Sequence, residues 1–307
     1  MELKEKTKKY LNKKCQSLDG KTIVLTGATS GVGLKALEEL LFLGANVIMA
    51  VRNQEKAEEI KKEMLFEFPN ANIQIYPLDL SSFDSIKKFA ARIKRNKIDV
   101  YGFVNNAGVF KSDKNKTIDG YNMVMGTNYL GTYLLIERLL PYLQTLPHEV
   151  KLINTTSISY KWGKINYNDF LFDKKKKRPL KVYSRSKLCI TKYSIYMANK
   201  LMDSNIVTIM THPGIVKTNL LMEMFKPWYM RIFKPLANIF MKPEKGALSI
   251  PYALTNKIRS GSLIGPNGPF KGWGKPKLNK LKKKAYNDIE RLIVHTKGII
   301  TITNKDI

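Results

Sequence analysis

The chain has 307 residues, 44% of them hydrophobic, with 53 Lys and Arg against 25 Asp and Glu, a formal net charge of +28. A domain of this length buries about 75% of its unfolded surface, so no disulfide or structural metal is needed to hold it. Two cysteines (Cys15, Cys189) without a C-x-x-C pair read as free thiols of a reducing compartment, and three scattered histidines (His148, His212, His295) argue against a His-based metal site. The charge is mostly Lys and runs along the whole chain with no nucleic-acid-binding motif, so it reads as solvated faces and no specific nucleic-acid partner is expected. "MELKEKTKKYLNKKCQSLDG" lacks the apolar core of a secretory signal, and no run reaches the ~18 apolar residues of a membrane span. The expected location is cytoplasmic, with peripheral membrane contact left open.

After a basic extension (1–19), "KTIVLTG" (21–27) reads as a buried strand. A helical apolar pattern runs through "LKALEELLFLG", with Gly44 placed to stop it. "ANVIMAVR" (45–52) is the next strand, and "EKAEEIKKEMLFEF" (55–68) is a helix with Pro69 just beyond it. "NIQIYPLDL" (72–80) and "SFDSIKKFAARIKRN" (82–96) repeat the strand and helix. "VYGFVNNAG" (100–108) is a strand entering a turn, "GTYLLIERLLPYL" (131–143) a helix, and "VKLINTTS" (150–157) a fifth strand. "DKKKKRP" (173–179) is a charged loop, a helix begins near Tyr183 and reaches about Met202, and "IVTIMTHPG" (206–214) is a sixth strand. Residues 266–307 read as a basic tail with one amphipathic helix on the periphery.

Strand alternating with helix this regularly predicts an α/β fold, a doubly wound parallel sheet with both faces covered. Right-handed crossovers put all strand C-termini on one edge, and ligands of such sheets bind there. The first such end carries "TGATSGVG" (26–33), whose candidate cofactor contacts are Gly27, Thr29, Ser30, Gly31, Val32 and Gly33. Gly27 allows a sharp turn off the strand, Gly31 lets backbone approach a pyrophosphate, and Gly33 lets the helix pack closely on the sheet. The helix N-terminus then offers free N–H groups and a positive dipole end to the phosphates. The second strand ends at Arg52 with no carboxylate until Glu55. A guanidinium there matches the 2′-phosphate of NADP(H), so that cofactor is favoured over NAD(H). Asp79, followed by Leu80, ends the third strand and can accept from an adenine amino group. In "NNAG" the small side chains of Asn106, Ala107 and Gly108 would let backbone approach the cofactor's central ribose.

The fifth strand ends in "NTTSIS", and Ser157 lies 26 residues before Tyr183. On a helix, Tyr183 and Lys187 of "YSRSK" share a face as i and i+4. A cation beside a phenol favours phenolate and should lower its pKa from about 10. Tyr183 would then exchange a proton with a carbonyl or alcohol oxygen, and Ser157 would hydrogen-bond the same oxygen.

Taken together, "TGATSGVG", "NNAG", Asn128 in "GTNYLG", Ser157, "YSRSK" and "HPGIVKT" resemble the short-chain dehydrogenase/reductase family over roughly residues 20–260. "LDLSS", "NYLGTYLL", "GKINYNDF" and "YSRSKL" are similar to its retinol-dehydrogenase-like and protochlorophyllide-reductase-like branch. The resemblance implies a Rossmann-type single domain (20–265) and hydride transfer between nicotinamide and a carbonyl/alcohol pair. It implies Tyr183 as acid/base, Lys187 on the nicotinamide ribose, and Ser157 on the substrate oxygen. Asn128 would hold a helix kink and a water that links Lys187 to solvent. Pro213, Gly214, Val216 and Thr218 would contact the nicotinamide end. Thr156 stands where this branch often has a first serine, and Ser159 is the alternative to Ser157. His212 reads as structural.

"MEMFKPWYMRIFKPLANIFMKP" (222–243) falls where a small helical substrate lid would lie. It can line a pocket for a lipophilic or aromatic substrate, rest on a membrane through Lys226, Arg231 and Lys234, or simply pack. Two other functions compete with the enzyme. One is a non-catalytic nucleotide-sensing or scaffold protein on the same fold, which the intact Asn128, Ser157, Tyr183 and Lys187 disfavour. The other is nucleic-acid binding by charge alone. A homo-oligomer is also left open.

Overall fold

The computed structural model describes residues 3–110, 116–172, 179–217 and 240–305. The strands are β1 (Thr22–Thr26), β2 (Asn46–Val51), β3 (Ile73–Pro77), β4 (Val100–Asn105), β5 (Val150–Thr155), β6 (Ile206–Thr211), β7 (Leu263–Pro266) and β8 (Pro276–Asn279). Among the described residues they form one sheet in the order β3-β2-β1-β4-β5-β6-β7-β8. Every pairing from β3 to β7 is parallel, and β8 closes the edge antiparallel to β7. The strand order reverses between β1 and β4, which opens a crevice at their C-terminal ends.

Helices cover both faces, as the α/β alternation requires. On one face lie α1 (Glu5–Lys14), α2 (Gly31–Phe42) and α3 (Gln54–Glu67), whose Leu11, Leu37, Leu40 and Ile60 join Ile23, Leu25 and Met49 of the sheet in one core. On the other lie α4 (Phe83–Arg95), α5 (Thr132–Leu143) and α6 (Pro179–Lys200), where Phe83, Phe89, Tyr129 and Tyr193 pack over Val24, Phe103 and Leu152. Local chemistry starts these helices where the sequence indicated. Asn53 accepts from Lys56 N at 2.9 Å ahead of α3, and Ser82 accepts from Ser85 N at 3.2 Å ahead of α4. Gly44 sits at φ +86° just past α2, where a side chain would be strained.

Three features differ from the sequence reading. The helix expected near Tyr183 starts at Pro179, so Tyr183 lies in its second turn. The 266–307 segment is not a peripheral tail: it supplies β8 and the helix α9 (Ile289–Lys305; α7, Pro243–Ala247, and α8, Ser249–Thr255, precede it). Leu292 and Thr296 of α9 are fully buried, and Thr296 Oγ1 meets Tyr129 Oη at 2.8 Å. The 1–19 extension is likewise bound down. Leu11 and Leu18 are fully buried, Leu3 N donates to Glu67 Oε1 at 2.9 Å, and Asn256 Nδ2 donates to Lys14 O at 3.0 Å. Most of the lid segment lies outside the described residues, including Lys226, Arg231 and Lys234, as does residues 173–178 of the charged loop.

Candidate active site

The glycine turn and "NNAG" are built against each other. The Thr26 hydroxyl accepts from Asn106 N and Ala107 N, both at 2.9 Å, and Asn106 Nδ2 donates to Thr26 O at 3.1 Å. Gly27 sits at φ +70°, and a Cβ there would come within 2.9 Å of Ala107 Cα. A Cβ on Gly33 would lie 2.1 Å from Gly27 O and 2.6 Å from Asn106 Nδ2. Gly33→Ala is therefore expected to push α2 off the turn and weaken dinucleotide binding at least about tenfold, with a lower melting temperature, read by fluorescence titration and thermal unfolding.

This edge suits a dinucleotide. Ser30 precedes α2 with extended backbone and no side-chain cap among the described residues, so the first helical N–H groups face the crevice for an anion to meet. A cavity of about 640 Å³ runs from there across the ends of β1 to β6. Arg52 is exposed at the end of β2 and lines it. Asp79 and Leu80 line it too, with one Asp79 carboxylate oxygen accepting from Ser81 N at 2.8 Å and Ser81 Oγ at 2.7 Å.

Further along the same cavity stand Ser157, Tyr183 and Lys187. Ser157 follows β5, its hydroxyl accepting from Ser159 N at 3.2 Å and standing near enough to the Tyr183 phenol to favour the ionised form. The Tyr183 ring packs edge-on to Phe110 at 5.3 Å between centroids. Lys187 Nζ donates to Thr155 O at 2.9 Å and lies 5.7 Å from the Tyr183 ring centre. The expected lowering of the phenol by this cation is not what the site shows. Burial pushes Tyr183 up to about 12, with the Ser157 hydroxyl acting the other way. Burial pushes Lys187 down to about 8.

Asn128 stands in a π-helical stretch, Gly126–Gly131, that leads into α5. Its side chain accepts from Val109 N and donates to Val109 O, both at 2.8 Å, and donates to Ser186 Oγ at 3.1 Å. A Cβ on Gly108 would lie 3.3 Å from Asn128 Oδ1 and 3.6 Å from Lys187 Nζ, so both groups close on that glycine. Thr156 Oγ1 meets Lys187 O at 3.1 Å and Thr191 Oγ1 at 2.7 Å, tying β5 to α6. Ser159 is buried, and its hydroxyl has no partner among the described residues.

Pro213, Gly214 and Val216 line the far end, and Thr218 lies outside the described residues. His212 is 3% exposed, and burial lowers it to about 4, so it is neutral. Its Nδ1 accepts from Gly214 N at 3.3 Å, and its ring fills the space beside Gly265, where a Cβ would lie 2.1 Å from Nε2. Phe240, from the expected lid segment, lines the cavity. Among the lining residues that the sequence did not reveal, Phe110 carries no motif, and Trp162 and Leu180 are apolar yet 65% and 42% exposed at the rim. Arg185, inside "YSRSK", was also unread: it donates from Nε to Lys164 O at 2.8 Å and from Nη1 to Phe170 O at 2.9 Å and to Asp169 O, pinning the 164–170 loop beside the site.

Comparison with known proteins agrees with this layout. The family model for short chain dehydrogenases matches residues 21–227. Human (Homo sapiens) retinol dehydrogenase 14 is 32% identical over 289 residues, covering 88% of this chain and 83% of that protein. Human retinol dehydrogenase 13 is 34% identical over 204 residues, 66% of this chain, and the match spans 61% of that protein's length. A crystal structure of an uncharacterised protein from Mycobacterium paratuberculosis superposes with a TM-score of 0.76 at 26% identity, covering 92% of this chain and 94% of that one. The chain belongs to the short-chain dehydrogenase/reductase family of NAD(P)-dependent oxidoreductases, on its retinol-dehydrogenase-like branch.

Proposed function

We propose that this protein transfers hydride between NADP(H) and the carbonyl/alcohol pair of a lipophilic or aromatic substrate. The observation that carries the reading is that Ser157, Tyr183 and Lys187 meet on the cavity that the glycine turn and Arg52 also line. Apolar Phe110, Trp162 and Leu180 around the same cavity support the substrate class.

When bound, the nicotinamide supplies or accepts the hydride. Ser157 Oγ and Tyr183 Oη hold the substrate oxygen between them. In reduction the Tyr183 phenol gives its proton to that oxygen, and in oxidation the proton returns. Lys187, held by Thr155 O, keeps a positive charge beside the phenol as it loses its proton. Asn128 keeps Lys187's surroundings in place through Val109 and Ser186, and a water held there would pass the proton on to solvent. Arg52 would meet the 2′-phosphate, and Pro213, Gly214 and Val216 would bound the nicotinamide end.

The test is a fluorescence titration with NADPH and NADH on the wild type and Arg52→Ala. NADPH affinity is expected to fall about 10- to 100-fold in the variant with NADH affinity within about twofold, the value of one charge-assisted phosphate contact. Equal affinities for both nucleotides in the wild type would remove Arg52 as the reader of the 2′-phosphate. Binding of neither would sink the enzyme reading.

A further inference from the structure

Charge on this chain is mixed in some places and segregated in others. Helix α3 carries Glu55, Glu58, Glu59, Glu63 and Glu67 among Lys56, Lys61 and Lys62. Residues 261–287 hold seven Lys and no Asp or Glu, and residues 158–168 add Lys161 and Lys164, again without a carboxylate. These two segments are one surface. Lys284 Nζ donates to Lys161 O at 2.7 Å and to Gly163 O at 2.6 Å, and Lys282 N donates to Tyr160 Oη at 3.1 Å. Their cations crowd: after burial, Lys271 and Lys282 hold Lys161 below its ordinary value, and Lys282 and Lys164 do the same to Lys284.

This basic surface is mounted on the rim of the cavity. Lys161 adjoins Trp162, and Ile215 N donates to Gly272 O at 3.0 Å; both Trp162 and Ile215 line the cavity. Large aromatic side chains stand out beside these cations, with Trp162 65% and Tyr286 55% exposed. We propose that this Lys-rich collar, with Trp162 at the cavity mouth, docks the protein on an anionic lipid bilayer. Exposed aromatic groups set among Lys complement a surface of anionic headgroups over acyl chains, which a purely charged nucleic-acid groove would not need. Among the described residues no helix is long and apolar enough to cross a membrane. The inference deepens the proposed function, since an apolar substrate dissolved in the bilayer would meet the cavity mouth directly.

The test is flotation of the full chain with vesicles of phosphatidylcholine alone or mixed with phosphatidylglycerol, at physiological ionic strength. The collar variant is Lys277→Gln, Lys280→Gln, Lys282→Gln and Lys283→Gln together. Its control, of equal net charge, is Lys56→Gln, Lys62→Gln, Lys94→Gln and Lys257→Gln, all exposed and outside the collar. Wild type and control are expected to float with anionic vesicles only, and the collar variant to bind them roughly 100-fold more weakly or worse. In parallel, brominated acyl chains should quench wild-type Trp fluorescence on those vesicles more strongly than that of Trp162→Phe. Three results would overturn the proposal: no flotation of the wild type, an equal loss in the control, or equal quenching in Trp162→Phe. So would a short RNA duplex bound more tightly than the vesicles and lost in the collar variant. NADPH titration separates the two readings, because the collar variant should keep wild-type NADPH affinity whatever the vesicles show.

Discussion

Tyr183→Phe is expected to lower turnover at least about a thousandfold while NADPH affinity stays within about twofold. The change deletes one oxygen and leaves the ring to pack on Phe110. It removes the phenol that stands beside Ser157 on the cavity. Because burial holds that phenol near 12, Tyr183 carries its proton throughout the neutral range and is ready to donate. Reduction should therefore be the easier direction at pH 7, and oxidation should quicken as pH rises toward the phenol's own range. Ser157→Ala is the milder counterpart, about 100-fold, because it withdraws a hydrogen bond to the reacting oxygen and leaves the proton donor in place. Steady-state kinetics of both variants, with nucleotide titration as the control, check this. Near-normal turnover in Tyr183→Phe would end the acid/base assignment.

What could be read from the sequence was local. Alternating apolar runs placed β1 to β6, because a strand buried on both faces must be apolar along its length. The glycines of 27–33 marked the turn, because their backbone need is set within a few residues. Tyr183 and Lys187 could be paired because one helical turn fixes their spacing, and Ser157 could be set at the same edge because it follows a strand end. Other features depended on contacts distant in the chain. Arg185 looks like a surface cation in "YSRSK", and its role shows only through carbonyls at 164, 169 and 170. The π-helical turn at Asn128 rests on Val109 and Ser186. β8 is "PKLN", a Lys- and Pro-containing run of poor strand propensity that an edge pairing with β7 nevertheless holds. The direction of the Tyr183 shift was misread for the same reason: spacing reveals the neighbouring cation but not how deeply both groups are buried.

Lys187→Met is expected to stabilise the fold at neutral pH and to lower turnover at least about 100-fold. Lys187 is 5% exposed, and burial moves it from an ordinary 10.5 to about 8 in the folded chain. Between those two values the unfolded chain binds the proton that the folded chain has released, so wild-type stability rises with pH across that window. Below pH 8 both forms are protonated, and the fold carries the full penalty of a buried cation, about 3 kcal/mol. Methionine fills a similar volume without the charge but leaves Thr155 O without its donor, which costs about 1–2 kcal/mol. The variant should thus gain about 1–2 kcal/mol over the wild type at pH 7 in urea unfolding, and the gain should vanish or reverse by pH 10.5. A variant less stable by the same amount at both values would mean that Lys187 imposes no such penalty. A gain at neutral pH together with lost turnover would locate, in one side chain, a charge that the fold bears at the expense of stability and that the Tyr183 phenol needs for proton transfer.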